Sequence, residues 1–275
     1  MYNNLMDKRL LRTITKYVGK AIADFDLIHD RDRILVALSG GKDSWSLLYT
    51  LLVLRQRAPV AYDLAAATVH PGTPDFDSEA ISTRLAREGV EHYVLGGNIL
   101  DLVNEKLTHG TNPCSFCSRL RRGFLYTFAA ANGWNKIALG HHQDDFVETL
   151  LLNLFFNGAI KGMSPNLLAD DRRNRIIRPL VYVREETTRL FAGSLGVPIL
   201  GCGCTYQGMV GSRRRWIKEL LKQIEREAPD VKSNILHGMK RVHQRHLLSR
   251  DCAQTLAAPC TNDHIKIELA STRSE

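Results

Sequence analysis

Residues 33–38, Arg-Ile-Leu-Val-Ala-Leu, form a short and nearly continuous apolar run that passes directly into Ser39-Gly40-Gly41-Lys42-Asp43-Ser44. A strand that is apolar on both faces must be covered on both faces, the condition met by a parallel sheet between layers of helices. A helix-like stretch, residues 45–55, follows the hexapeptide. The alternation then repeats. Strand-like runs at 62–69, 90–95, 136–139 and 176–177 are separated by helical patterns at 75–88, 120–132 and 144–156, with a last helix at 184–195. This spacing predicts βαβ crossovers and an α/β fold: an open, mostly parallel five-stranded sheet with helices on both faces.

Helical additions are expected at both ends. Residues 5–25 place Leu10, Leu11, Ile14, Tyr17, Val18, Ile22 and Phe25 on one stripe, and residues 208–248 read as helical. The expected organisation is an N-terminal helix (1–30), the α/β domain (31–205), a C-terminal helical region (206–250) and a tail of mixed charge (251–275). The 275 residues are 44% hydrophobic, too apolar for a disordered coil. No apolar run approaches the ~20 residues of a membrane span, and the first 20 residues lack the continuous core of a secretory signal. A cytoplasmic protein without a membrane segment is therefore expected. The net charge of +8 suits a polyanionic partner.

The hexapeptide is placed to hold an anion. Two glycines let the backbone turn and approach a phosphate without a Cβ in the way, and the next helix offers its free N–H groups and positive end. Ser39, Ser44 and Lys42 add side-chain donors. The G-x4-G-K-[ST] spacing of a Walker A loop is absent. Gly140-His141-His142-Gln143-Asp144-Asp145 follows the fourth strand on the same predicted sheet edge. Capping explains one acid at a helix start. Two acids with two histidines suggest a Mg²⁺ carboxylate, assigned to Asp145, and a proton-handling or orienting group.

Six cysteines are too sparse for a disulfide scaffold. Cys114 and Cys117 form a C-x2-C ahead of a helix, and Cys202 and Cys204 a C-x-C in a Gly-rich stretch; Cys252 and Cys260 read as incidental. Three or four thiolates can hold zinc or an iron–sulfur cluster, and spacing leaves both open. Arg119, Arg121 and Arg122 follow the first pair at helical spacing. They and Arg213-Arg214-Arg215 are either solvated basic faces or contacts to RNA phosphate. Tyr93, Trp134 and Trp216 are expected in packing rather than as platforms for bases.

The hexapeptide resembles the SGGxDS signature of the PP-loop ATP pyrophosphatases, which adenylate a carbonyl oxygen and release pyrophosphate. Together with Pro113-Cys114-Ser115-Phe116-Cys117, Leu139-Gly-His-His-Gln-Asp-Asp145 and Ile177-Arg178-Pro179-Leu180, it is similar to the tRNA 2-thiocytidine synthetase family over about residues 5–248. That resemblance implies ATP held by Ser39, Gly40, Gly41, Lys42, Asp43, Ser44, His70, Gly140 and His141. It implies a [4Fe–4S] cluster on Cys114, Cys117 and Cys202, with Cys204 the alternative third ligand, and Mg²⁺ on Asp145. Lys42, Asp43, Arg121, Asp144 and Asp145 are the expected catalytic group, and Arg119, Arg122 and Arg213 to Arg215 the expected tRNA contacts. The implied activity is ATP-dependent exchange of the C2 oxygen of tRNA cytidine 32 for sulfur. A cysteine desulfurase or another sulfide source is the expected partner and a homodimer the expected assembly. The zinc-finger termini of related 2-thiouridine enzymes are missing. Another PP-loop tRNA synthetase, of 2-thiouridine or lysidine type with a structural zinc, is the second reading.

Overall fold

In the computed structural model, residues 7–96, 98–106, 113–169, 171–201, 212–243 and 246–248 are described. The amphipathic N-terminal segment forms α1 (Lys8–Phe25), capped by the Asp7 carboxylate, which accepts from the amides of Arg9 and Leu10. β1 (Asp32–Ala37) leads through the Gly-Gly loop into α2 (Lys42–Arg55). β2 (Tyr62–His70), α3 (Ser78–Arg87), β3 (His92–Gly96), α4 (Ile99–Lys106), α5 (Pro113–Ala131), β4 (Lys136–Ala138) and α6 (Gln143–Asn157) follow. A hairpin of β5 (Asn166–Leu168) and β6 (Arg175–Ile177) precedes α7 (Glu185–Ser194), α8 (Ser212–Glu227) and α9 (Val231–Gly238). The chain forms two compact units, Met1–Leu236 and His237–Glu275. None of the described helices is long and apolar enough to cross a membrane.

The sheet has six strands in the order β3-β2-β1-β4-β6-β5. β1 pairs in parallel with β2 on one side (Ile34 opposite Leu64) and with β4 on the other (Leu35 opposite Ile137). The order reverses between β1 and β4, so the loops leaving these two strands diverge and leave a crevice at the carboxyl edge. Leu35, Ala67, Ile137 and Ile176 point to a core closed by α4 and α5, where Leu125, Ala129 and Trp134 are buried. α2 lies on the opposite face. From Ser44 to Val53 it has no wet side, because α1 and α7 pack over it.

The sixth strand corrects the expected five. β5 runs antiparallel to β6, is only three residues long and leaves Leu167 and Leu168 exposed. An edge strand so short has no room for an apolar–polar alternation, and its pairing is set by the turn that brings Ala169 N–H to the Asn174 carbonyl at 2.8 Å. α5 also begins earlier than its apolar pattern indicates. Pro113 suits the first helical position, where no N–H is required, so Cys114 and Cys117 lie inside the helix rather than before it.

The amino edge of the sheet is fixed by a buried charge cluster. Lys136 opens β4 and gives its ammonium to Asp32 (2.6 Å), the Leu27 carbonyl (2.7 Å) and His29 (2.8 Å). Burial alone raises the Asp32 pKa, but the bonds from Lys136, the His29 amide and Asn135 outweigh it and hold the carboxyl below its usual range. Removing one partner strands the other charge in the core. Lys136→Met is expected to cost about 3–5 kcal/mol in urea unfolding, with most of that recovered in Asp32→Asn/Lys136→Met. A single-variant loss of less than about 1 kcal/mol, the size of a surface pair, would contradict this account.

Candidate active site

Two helices begin at the crevice. α2 starts at the hexapeptide, with Gly40 at φ +79° and Gly41 as N-cap without a side-chain partner. Ser44 Oγ donates to the Gly41 carbonyl at 2.9 Å, and Ser39 N–H reaches Ser44 Oγ at 3.2 Å. The loop is thus folded on itself while its helix-start amides remain available for an anion. α6 starts opposite, at His142. Gly140 makes the approach possible: a Cβ there would lie 3.0 Å from Asp43 C and Ser44 N. His70 ends β2 on the same rim, its ring edge-on to Phe76 and its Nδ1 accepting from the Gly72 amide at 3.1 Å.

The charged groups are interlocked. Lys42 Nζ lies 2.7 Å from Asp43 and 3.2 Å from Glu185. Burial lowers its pKa, but these two carboxylates raise it further and hold the ammonium charged. Thr188 Oγ1 donates to Asp43 Oδ1. Glu185, at the start of α7, is pulled down to about 2: burial opposes ionisation, and Lys218 with Lys42 overrides it. Asp144 spends both oxygens on structure, accepting from Lys232 (2.8 Å) and the Glu185 amide (2.8 Å). Among the described residues, Asp145 accepts from the His142 amide at 3.1 Å and otherwise meets only the long ion pair to Arg214 at 3.9 Å and the His142 ring at 3.4 Å. Of the two acids, Asp145 is therefore the one whose oxygens are least committed. His142 is buried among Asp43, Asp144 and Asp145, with Nδ1 lacking a hydrogen-bond partner.

His141 is kept neutral. Burial and the Arg178 guanidinium, whose Nε donates to His141 Nδ1 at 3.2 Å, push its pKa down to about 4. Glu148, one turn into α6, behaves in the opposite way. Burial lifts it to about 7 despite Lys218 (3.6 Å) and Arg214 (3.2 Å). Glu148, Glu185, Thr188, Lys218 and Lys232 were not foreseen from sequence, because they are ordinary helix residues until α7, α8 and α9 fold over the crevice. Arg178 lay within the Ile-Arg-Pro-Leu motif but had no assigned role.

The cysteine-bearing helix ends five residues before β4 and packs on the sheet beside β2 and β3, so its first turn stands at the carboxyl rim. Cys114 is exposed there, and Cys117 is half-buried against the core. Arg122 and Tyr126 on the same helix lie close enough to Arg178 to perturb its charge, which brings α5 beside His141. Arg121 buries its Nε without a partner, and Arg119 and Arg122 are exposed. Cys202 and Cys204 lie outside the described residues, but Leu200 is described and its N–H donates to the Gly40 carbonyl at 2.9 Å. Of the basic triplet, Arg214 turns in to Glu148 and Asp145, Arg213 lies over the Phe156 ring at 4.9 Å, and Arg215 is exposed.

This donor set fits the three groups implied by the sequence. A tight glycine cradle with unused helix-start amides suits a polyphosphate, and the Asp145 oxygens suit a hard cation. Two thiols at i and i+3 on a helix start suit a thiolate-held cluster. Among the described residues no third metal ligand joins them.

The profile of the PP-loop domain matches residues 6–196. A tRNA-cytidine(32) 2-sulfurtransferase of Geobacter metallireducens is 48% identical over 92% of this chain and 99% of its own. The chain belongs to that family. A second member, from Syntrophotalea carbinolica, is 45% identical over 89% of this chain and 94% of its own. Among solved structures, the U34-tRNA thiolase NcsA of Methanococcus maripaludis with its [4Fe–4S] cluster has the same fold, at TM-score 0.69 and 24% identity over 86% of this chain and 80% of that one. As a tRNA-cytidine(32) 2-sulfurtransferase family member, the chain has the expected α/β PP-loop architecture, with one more strand than its sequence pattern indicates.

Two outcomes are expected at the crevice. Gly140→Ala should weaken ATP binding by at least roughly tenfold in calorimetry, because the new methyl must displace the phosphate loop; unchanged affinity would mean the loop can yield. Glu148 ionises near 4.5 in the unfolded chain but near 7 when folded, so the native state holds the extra proton and loses stability as pH rises between these values. The melting temperature of Glu148→Gln should therefore gain on that of the wild type from about pH 4.5 to 7 and then run parallel to it. A constant difference across that window contradicts the raised pKa.

Proposed function

We propose that this chain replaces the C2 oxygen of cytidine 32 in tRNA by sulfur, using ATP to activate the oxygen. The observation that supports it most is that the intact Ser39–Ser44 loop and the α5 thiols share one sheet edge in a chain alike throughout to named cytidine(32) sulfurtransferases. A carbonyl oxygen leaves poorly unaided. Attack of the C2 oxygen on the α-phosphorus gives an adenylate and releases pyrophosphate, turning the departing group into AMP. The glycine-loop amides and the α2 N-terminus bind the pyrophosphate part, and Lys42 exchanges carboxylate for phosphate as charge accumulates there. Asp145 would hold Mg²⁺, which would supply charge neutralisation at the phosphates, and Asp43 orients Lys42. Neutral His141, held by Arg178, offers a ring nitrogen without adding charge beside the base. A [4Fe–4S] cluster on Cys114, Cys117 and Cys202 or Cys204 supplies, when bound, an iron with an open position for sulfur. Arg121 steadies the developing charge, and the exposed Arg119 and Arg122 meet RNA phosphate. The proposal extends to a cytoplasmic homodimer fed by a cysteine desulfurase or another sulfide source.

The test is anaerobic reconstitution with iron and sulfide, followed by nucleoside mass spectrometry of tRNA after incubation with ATP. Wild type is expected to produce 2-thiocytidine. Cys114→Ala and Cys117→Ala should each lose the visible cluster absorbance and at least about 99% of thiolation, since no other described ligand can substitute. ATP binding should persist in both. A colourless protein that holds one zinc per chain and forms no 2-thiocytidine would overturn the reading. Cys202→Ala and Cys204→Ala, compared side by side, identify the third ligand; full activity in both removes the three-cysteine scheme.

A further inference from the structure

Trp216 packs against two neighbouring rings, as expected, yet is not buried. Of the three tryptophans, Trp45 and Trp134 are 0% and 3% exposed, whereas Trp216 is 52% exposed. It stands on α8 with its ring edge-on to Phe155 and Phe156 at the end of α6, at centroid distances of 6.1 and 5.9 Å. Those two rings are 49% and 38% exposed, and Ile160 beyond them 64%. These three wet aromatic rings, with Trp216 in contact with both phenylalanines, form a shelf that the described residues leave uncovered.

The charge bordering it selects the occupant. The Arg213 guanidinium lies over Phe156, and Lys161 and Arg215 are exposed close by in sequence to Ile160 and Trp216. The acid next along α8, Glu219, is already held by Lys222 at 2.8 Å. Aromatic faces interleaved with cations suit single-stranded nucleic acid, where bases stack and phosphates pair. A second copy of this chain fits less well, because a twofold contact would set these cations against one another.

Position on the helix gives the shelf a role. Two residues before Trp216, Arg214 reaches Asp145 and Glu148 at the crevice. Along α6, Asp145 and Phe156 are separated by about 16 Å, at 1.5 Å per residue. A nucleotide whose C2 must enter the crevice has to leave its stack, and its loop neighbours lose stacking partners at the same moment. We infer that Phe155, Phe156 and Trp216, with Arg213, form the shelf on which unpaired bases flanking the target nucleotide stack. This rests on the thiolation reading and adds the surface that positions its RNA.

The three tryptophans provide a direct readout. In the full chain, adding a tRNA transcript with cytidine at position 32 should protect tryptophan emission from acrylamide, and Trp216→Phe should abolish that protection. Trp216→Ala and Phe155→Ala should each raise the tRNA Kd about tenfold, while ATP affinity stays at the wild-type value because neither side chain lines the crevice. Arg213→Gln should lower the slope of log Kd against log salt by about one. Unchanged tRNA affinity in both aromatic variants, with Trp216 equally quenchable in the complex, overturns the inference. So does sedimentation showing that Trp216→Ala separates a dimer whose monomer still binds tRNA at full strength. A wild-type protein that binds ATP but no tRNA refutes the thiolation reading itself, a result distinct from either.

Discussion

Reversal of strand order between β1 and β4 is the constraint on which the rest of the molecule depends. Parallel strands deliver their following helices to one edge, and divergence of the two connections leaves a gap that neither covers. Into that gap point two helix N-termini, α2 with bare amides and α6 with its acids. The first suits phosphate and the second suits a cation, so the proposed metal–nucleotide complex would meet complementary receptors across one crevice. Gly140 keeps the two close enough to act together, since its missing Cβ is the space that the Asp43–Ser44 backbone occupies.

The carboxylates gathered there would repel one another if left bare. α8 answers this by setting Lys218 and Arg214, together with Lys42 of α2, among Glu148, Glu185 and Asp145. Balance is reached by position rather than by pairing every group with a single partner. Glu185 shares two ammonium groups and stays ionised near the bottom of the carboxylate range, whereas Glu148, deeper and beside other acids, keeps its proton to about pH 7. Two glutamates less than forty residues apart thus differ because one opens a helix at the rim and the other lies beneath it.

Much of this was legible in the sequence. The apolar run at 33–38, the Gly-Gly turn and the acids after the fourth strand announced a parallel sheet and an anion site, because period, turn chemistry and helix-start preference are local properties. Boundaries and cross-chain partners were not. β5 is too short to show a period, and α5 begins at Pro113 through a backbone preference that its apolar stripe does not record. Glu185, Lys218 and Lys232 acquire meaning only when α7, α8 and α9 meet residues 33 to 143 positions earlier in the chain. Trp216 packs on Phe155 and Phe156 as expected, but its exposure was not legible, because only tertiary packing decides which face of α8 is left wet.

A helix without a wet face has a consequence for whatever it anchors. α2 is enclosed along nearly its whole length, so its amino end cannot swing aside without opening the interior. The glycine turn that it terminates is therefore a rigid gauge, set before any nucleotide arrives and paying almost no ordering entropy when one does. A phosphate bound by those amides would be selected by fixed dimension rather than by closure, because the enclosed helix leaves the turn little room to adapt.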